Sequence, residues 1–133
     1  MDYSSEVARH FAAPRHAGPL AAGPGMPVQG EGGSVEQGAL LRFQLRVAAG
    51  RVVALAWQAW GCPHTIAACS LAAEMLDGCT RTELEAFDPL ALRAPLAVPA
   101  EKTGRLLIIQ DALRKCLAAW DNGDLRSPLN KRN

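Results

Sequence analysis

The clearest pattern in the chain is a strict alternation. In "LLRFQLRVAAGRVVALAWQAW", Leu41, Phe43, Leu45 and Val47 are separated by Arg42, Gln44 and Arg46. Ala49-Gly50 then breaks the run and a second apolar stretch begins. Period two with a short break predicts a β-hairpin with one buried face. The period then lengthens. Pro63, a good first helical residue, leads into Ile66, Ala67, Ser70, Leu71, Glu74 and Met75, and Gly78 stands where that helix should stop. Near the start, Ser4 is placed as an N-cap with Glu6 in the first turn, while Tyr3, Val7, His10 and Phe11 fall on one helical face and Pro14 ends it. Residues 17–33 hold six glycines and three prolines, which predicts an irregular segment with a short edge strand near residues 26–29. Further on, "TRTE" at 80–83 is a capping box and Asp88-Pro89 opens another helical turn. From about Glu101, Leu106, Ile109, Leu113, Cys116, Leu117 and Trp120 recur at three- and four-residue steps, the mark of a long final helix. One hairpin followed by helices predicts an α+β fold, a small antiparallel β-sheet with helices packed on one face. We expect one domain over residues 1–122 and a polar, mobile tail over 123–133.

Composition narrows the functional classes. A chain of 133 residues can bury a core without staples. Hydrophobic residues make up 49% of it, charged residues 20%, and the formal net charge is +1, which argues against disorder and against a nucleic-acid footprint. No basic segment precedes an apolar run at the start, and no apolar stretch has the length of a membrane span, so a soluble, cytoplasmic protein with no membrane partner is expected. Four cysteines occur with no CxxC pair, and their default reading is reduced thiols.

The stretch "AWGCPHTIAACS" holds the candidate chemistry. Cys62 falls where the second hairpin strand becomes a helix, and a thiol at a helix N-terminus is favoured as thiolate, able to act as nucleophile or metal ligand. A partly buried cysteine that merely fits the bend is the equal alternative. His64, two residues on, reads as a solvated side chain or as a ligand partner of Cys62. Cys69 reads first as a small core residue and second as a further ligand. Cys116 reads as core, and Cys79 as an exposed loop thiol. Trp57, Trp60 and Trp120 read as core and sheet-face fillers, Arg42 and Arg46 as a solvated face.

Taken in order, "YSSEVARHFAAPRHAGPL", the Gly-rich segment, the hairpin ending in "WGCPHTIAACS", "LDGCTRTELEAF" and "VPAEKTGRLLIIQDALRKCLAAW" resemble the IscU or NifU N-terminal type of iron-sulfur cluster assembly scaffold over nearly the whole chain up to Trp120. The resemblance implies a non-enzymatic scaffold in which three cysteines hold a nascent cluster, helped by an aspartate and a histidine. Cys62 matches the second cysteine. At the other positions Gln37 stands for the first cysteine, Ala39 for the aspartate, Gly104 for the histidine and Arg105 for the third cysteine. An arginine is a permanent cation and cannot ligate. The expected function is therefore a divergent scaffold that binds iron, zinc or an iron-sulfur cluster around Cys62 with His64 or Cys69, including the case of a homodimer in which each copy gives Cys62 and His64. The alternative is a cluster-free adaptor that keeps the docking surfaces. A thiol enzyme with His64 as base ranks last. The resemblance also implies two partners, a cysteine desulfurase met by the helix in residues 3–15 and an Hsp70-type chaperone met by "VPAEK", of which Pro99 and Lys102 are retained.

Overall fold

The computed structural model describes residues 4–126, so the placement expected for Tyr3 and for the tail beyond residue 126 lies outside the described residues. The hairpin is present as β2 (Ala39–Ala48) and β3 (Arg51–Trp60). Ala49 and Gly50 both take positive φ, 52° and 75°, the left-handed turn that matches the twist of paired strands. Leu41, Phe43, Leu45 and Val47 are buried, and the residues between them stay half-exposed. A further strand, β1 (Met26–Ser34), pairs antiparallel with β2, giving the order β1-β2-β3.

β1 is much longer than the edge strand expected at 26–29. Its glycines are the reason it was hidden and the reason it works. α4 (Gly104–Arg126) lies directly on the strand backbone, and a Cβ at Gly30 would stand 2.1 Å from the Ala112 carbonyl oxygen. One at Gly32 would stand 2.3 Å from the Ile108 carbonyl oxygen. Glycine usually weakens a strand, but here it permits a close helix-strand approach that no other residue allows.

α2 (Pro63–Leu76) packs on β3, α4 packs on β1 and β2, and α1 (Ser5–Ala12) packs on α2, which places the helices on one face as expected. α3 (Arg81–Ala86) carries the Thr80–Glu83 capping box. The Asp88 side chain accepts from the Leu90 N–H to open a 3-10 turn over Pro89–Leu92, and a second such turn, Ala100–Lys102, precedes α4. α4 starts at Gly104 rather than Glu101 and runs past the boundary expected at residue 122 as far as Arg126. Among the described residues no helix is long and apolar enough to cross a membrane.

Some placements differ from expectation. α2 is enclosed by α1, β3 and α4, so Ala67, Ala68, Ala72 and Ala73 are all buried and no single apolar stripe exists. Glu74 and Met75, which share the helical period read for α2, are exposed, as is Phe11 of α1. Trp57 and Trp120 fill the core, whereas Trp60 is 55% exposed because its cross-strand partner Leu40 belongs to the polar, outward series of β2. Arg42 and Arg46 are more than a solvated face. Arg42 Nε donates to Glu31 of β1 at 2.8 Å, and Arg46 donates to the carbonyls of Ala21 and Gly25, holding the segment before β1.

α1 is fixed at both ends. Ser4 accepts from the Val7 N–H and donates to the Leu96 carbonyl. At the other end His10 is 1% exposed, with Nδ1 2.7 Å from Ser70 Oγ of α2, which also accepts from the Arg15 N–H. Arg9 can only donate, so its contact with His10 Nε2 at 3.0 Å makes Nε2 the acceptor and leaves the proton on Nδ1. A second proton on Nε2 would face that guanidinium. Burial, with the Arg9 charge second, holds the His10 pKa below its ordinary value despite Glu74 and Glu6, while Arg15 lowers it further. The unfolded chain then takes up the proton first, so this contribution is complete above about pH 6.5 and is lost as pH falls below it toward the folded value. Urea midpoints measured between pH 7.5 and 5.5 should fall more steeply for the wild type than for His10→Gln; parallel lines would disprove this role.

Candidate functional site

β3 ends at Trp60, the chain bends at Gly61, and Cys62 becomes the N-cap of α2 with φ −77° and ψ 169°. Pro63 follows as the first helical residue, so the bend places the Cys62 side chain over the first turn of the helix. The thiol is half-buried, its Sγ 3.7 Å from Thr65 Oγ1 and 3.8 Å from Lys102 Nζ. Burial pushes its pKa up, but the backbone and hydroxyl of Thr65, the His64 N–H and the Lys102 ammonium together outweigh this and hold it below the ordinary thiol value. Each of those groups stabilises negative charge on sulfur, so the arrangement favours the thiolate.

His64 is buried, which corrects the expectation of a solvated side chain. Burial first, then the charges of Lys102 and Arg105, lowers its pKa and keeps the ring neutral at pH 7. Cys69 has no exposure, and burial pushes its pKa far above the ordinary thiol value, so its role as a ligand gives way to its role in the core. Cys116 is likewise core, its pKa pushed up to about 12, and its Sγ donates to the Phe43 carbonyl at 3.5 Å. Cys79, expected exposed, is buried with a pKa raised to about 11, because its carbonyl accepts from the Val52 N–H and draws the loop onto β3.

The other positions of interest meet at the same end of the molecule. Gln37 is exposed in the turn between β1 and β2, and Arg105, in the first turn of α4, donates from Nη1 to the Gln37 carbonyl at 3.0 Å. Its guanidinium lies against Gly38, where a Cβ would stand 3.2 Å from Nη1. Ala39 is wholly buried and Gly104 is exposed with open space around it. Pro99 caps the short turn that delivers Lys102 to Cys62. The structure thus joins Gln37 to Arg105 and Cys62 to Lys102. The Lys102 contact spans 40 residues and leaves no trace in the sequence. The Thr65 contact could have been found, since N-cap and third helical residue are regular partners.

The NifU-like N terminal domain family model matches residues 2–125. The chain belongs to the NifU-like N-terminal domain family. This NifU-like domain is 30% identical over 129 residues to the nitrogen fixation protein NifU of Cereibacter sphaeroides, covering 96% of this chain and 51% of that protein, so it spans about half the length of that relative. It is also 30% identical over 115 residues to the iron-sulfur cluster assembly scaffold protein IscU of Azotobacter vinelandii, covering 86% of this chain and 90% of that one. The N-terminal structure of a NifU-like protein from Brucella abortus superposes with a TM-score of 0.70 at 17% identity, over 90% of this chain and 94% of that chain, a likeness of fold.

Whether the NifU-like domain can hold a cluster by itself is a question of donors. A cluster needs four ligand atoms, with thiolates preferred. Among the described residues no group of three or more His, Cys, Asp or Glu side chains is placed to hold a metal ion. Cys62 is one thiol beside an ammonium, and Arg105 brings a second cation to the same end. The donor set of one chain does not fit a cluster.

Proposed function

We propose that this chain is a scaffold-type protein of iron-sulfur cluster assembly whose contact with its cargo, be it iron, zinc or a cluster, is Cys62. The reading is carried by one observation. Of the four cysteines, Cys62 alone is not buried, and it sits at the Gly-Cys-Pro bend with its thiolate favoured. The IscU relative is described as a scaffold, which supports this reading over a cluster-free adaptor. It also supports a non-enzymatic role. With one accessible thiol per chain the remaining ligands come from outside it, from a second copy in a homodimer or from a small thiol such as glutathione. A cysteine desulfurase is the sulfur donor such a scaffold requires, and the exposed Phe11 on α1 supports docking through that helix. Docking of an Hsp70-type chaperone at Pro99 and Lys102 competes with the engagement of Lys102 at Cys62.

Anaerobic reconstitution with ferrous iron, sulfide and glutathione tests the proposal. The wild type should retain iron severalfold above Cys62→Ser after desalting. Equal iron in both would remove Cys62 as the cargo residue.

A further inference from the structure

We propose that Arg105 is an internal cation that closes the Cys62 end of the molecule by tying the β1-β2 turn to the start of α4, so that a single chain turns away divalent metal. The inference rests on the reading of that end as the scaffold's site, but the contact itself does not. Arg105 Nη1 donates to the Gln37 carbonyl at 3.0 Å across 68 residues of sequence. The turn below it is already folded on itself, with Gly38 N–H donating to Val35 and Gln37 N–H to Ser34, so a rigid carbonyl is presented to the guanidinium. Gly38, at φ 81°, leaves the space that the guanidinium fills, and a side chain there would press on Nη1 and Nη2.

Arg105 is costly to place where it is. A cation in the first turn of a 23-residue helix opposes the positive end of the helix dipole. Its Nε is buried with no hydrogen-bond partner, a further penalty. The bond to Gln37 and the packing on Gly38 are what offset these costs. Arg105 and Gln37 also border a shallow cavity of about 330 Å³ with Glu101, Gly104 and Ile108. A divalent ion entering there meets the Arg105 guanidinium as well as the Glu101 carboxylate at its wall, and beyond it Lys102 stands 3.8 Å from the Cys62 sulfur.

Two variants test this without depending on each other. Arg105→Met keeps the length and removes the donor; amide exchange at residues 37–39 should quicken at least about tenfold while the β2-β3 ladder is unchanged. Gln37→Cys with Arg105→Cys exchanges the tie for two thiols at the Cys62 end. Zinc affinity in the absence of added thiol should rise on the order of 100-fold over the wild type, and a chelator should reverse the accompanying rise in Tm. A wild type that binds one zinc per chain as tightly as the double variant, or unchanged exchange in Arg105→Met, would overturn the proposal. Should the double variant not fold, the exchange measurement decides. Loss of Cys62-dependent iron in the glutathione reconstitution would instead count against the scaffold reading and leave the Arg105 tie standing.

Discussion

Gly30→Val is expected to remove most of the stability of the fold, about 4 kcal/mol or more against a typical total of roughly 5–15 kcal/mol. The first atom added already stands 2.1 Å from the Ala112 carbonyl oxygen, with the Cys116 nitrogen and the Lys115 Cβ each at 2.8 Å. Two of those three are backbone atoms of α4, which cannot rotate away as a side chain can. Relief therefore requires α4 to lift from β1, exposing the inner face that also holds Val28, Phe43, Ile109 and Cys116. An added methylene in an ordinary core costs about 1–3 kcal/mol because side chains can shift. Here the obstacle is main chain, so the cost should lie above that range. Gly104→Ala is the matched control, since nothing lies within 4 Å of its added atom, and it should change stability by no more than about 1 kcal/mol. Urea unfolding followed by circular dichroism separates the two. A wild-type midpoint for Gly30→Val would show that the helix does not sit on the strand.

The same glycines explain what the sequence could and could not convey. The β2-β3 hairpin, the Ser4 and Thr80 caps, Pro63 at the start of α2 and the face of α4 were legible because each is local, set by a period or a cap within a few residues. β1 was not, because its inward glycines are chosen by contact with α4, some eighty residues away in the chain, and alone they signal a loop. The burial of His64 was hidden for a similar reason. α2 is enclosed by three elements, so its small residues give no stripe from which inside and outside can be told. In the site, the Gly-Cys-Pro bend and the replacements at Gln37, Ala39, Gly104 and Arg105 could be read residue by residue. The pairing of Arg105 with Gln37 and of Lys102 with Cys62 could not, since long side chains from distant segments find partners only in the folded chain.

That second pairing underlies the largest chemical difference to be expected within the molecule. In the native protein iodoacetamide should modify Cys62 on the order of 100-fold faster than Cys69, Cys79 or Cys116 at pH 7, because reaction needs both access and thiolate. Cys69 and Cys116 have neither, being fully buried, and Cys79 is closed off with a pKa near 11. Cys62 is accessible, and of the four it is the one whose thiolate is favoured, by Thr65, by the His64 N–H and by Lys102. These causes can be separated. Lys102→Gln removes a charge 3.8 Å from sulfur, which at a half-exposed site should slow the neutral-pH reaction between about two- and tenfold and move the pH profile to higher pH. Salt should shrink that difference, since it is electrostatic. Thr65→Val, which keeps shape but loses the hydroxyl, should move the profile in the same direction with no salt dependence. An unchanged profile in Lys102→Gln would mean that the hydrogen bonds at the start of α2 hold the thiolate unaided, and that Lys102 is free to serve a partner instead. A shifted profile would mean that anything drawing Lys102 away also alters the sulfur on which the cargo depends.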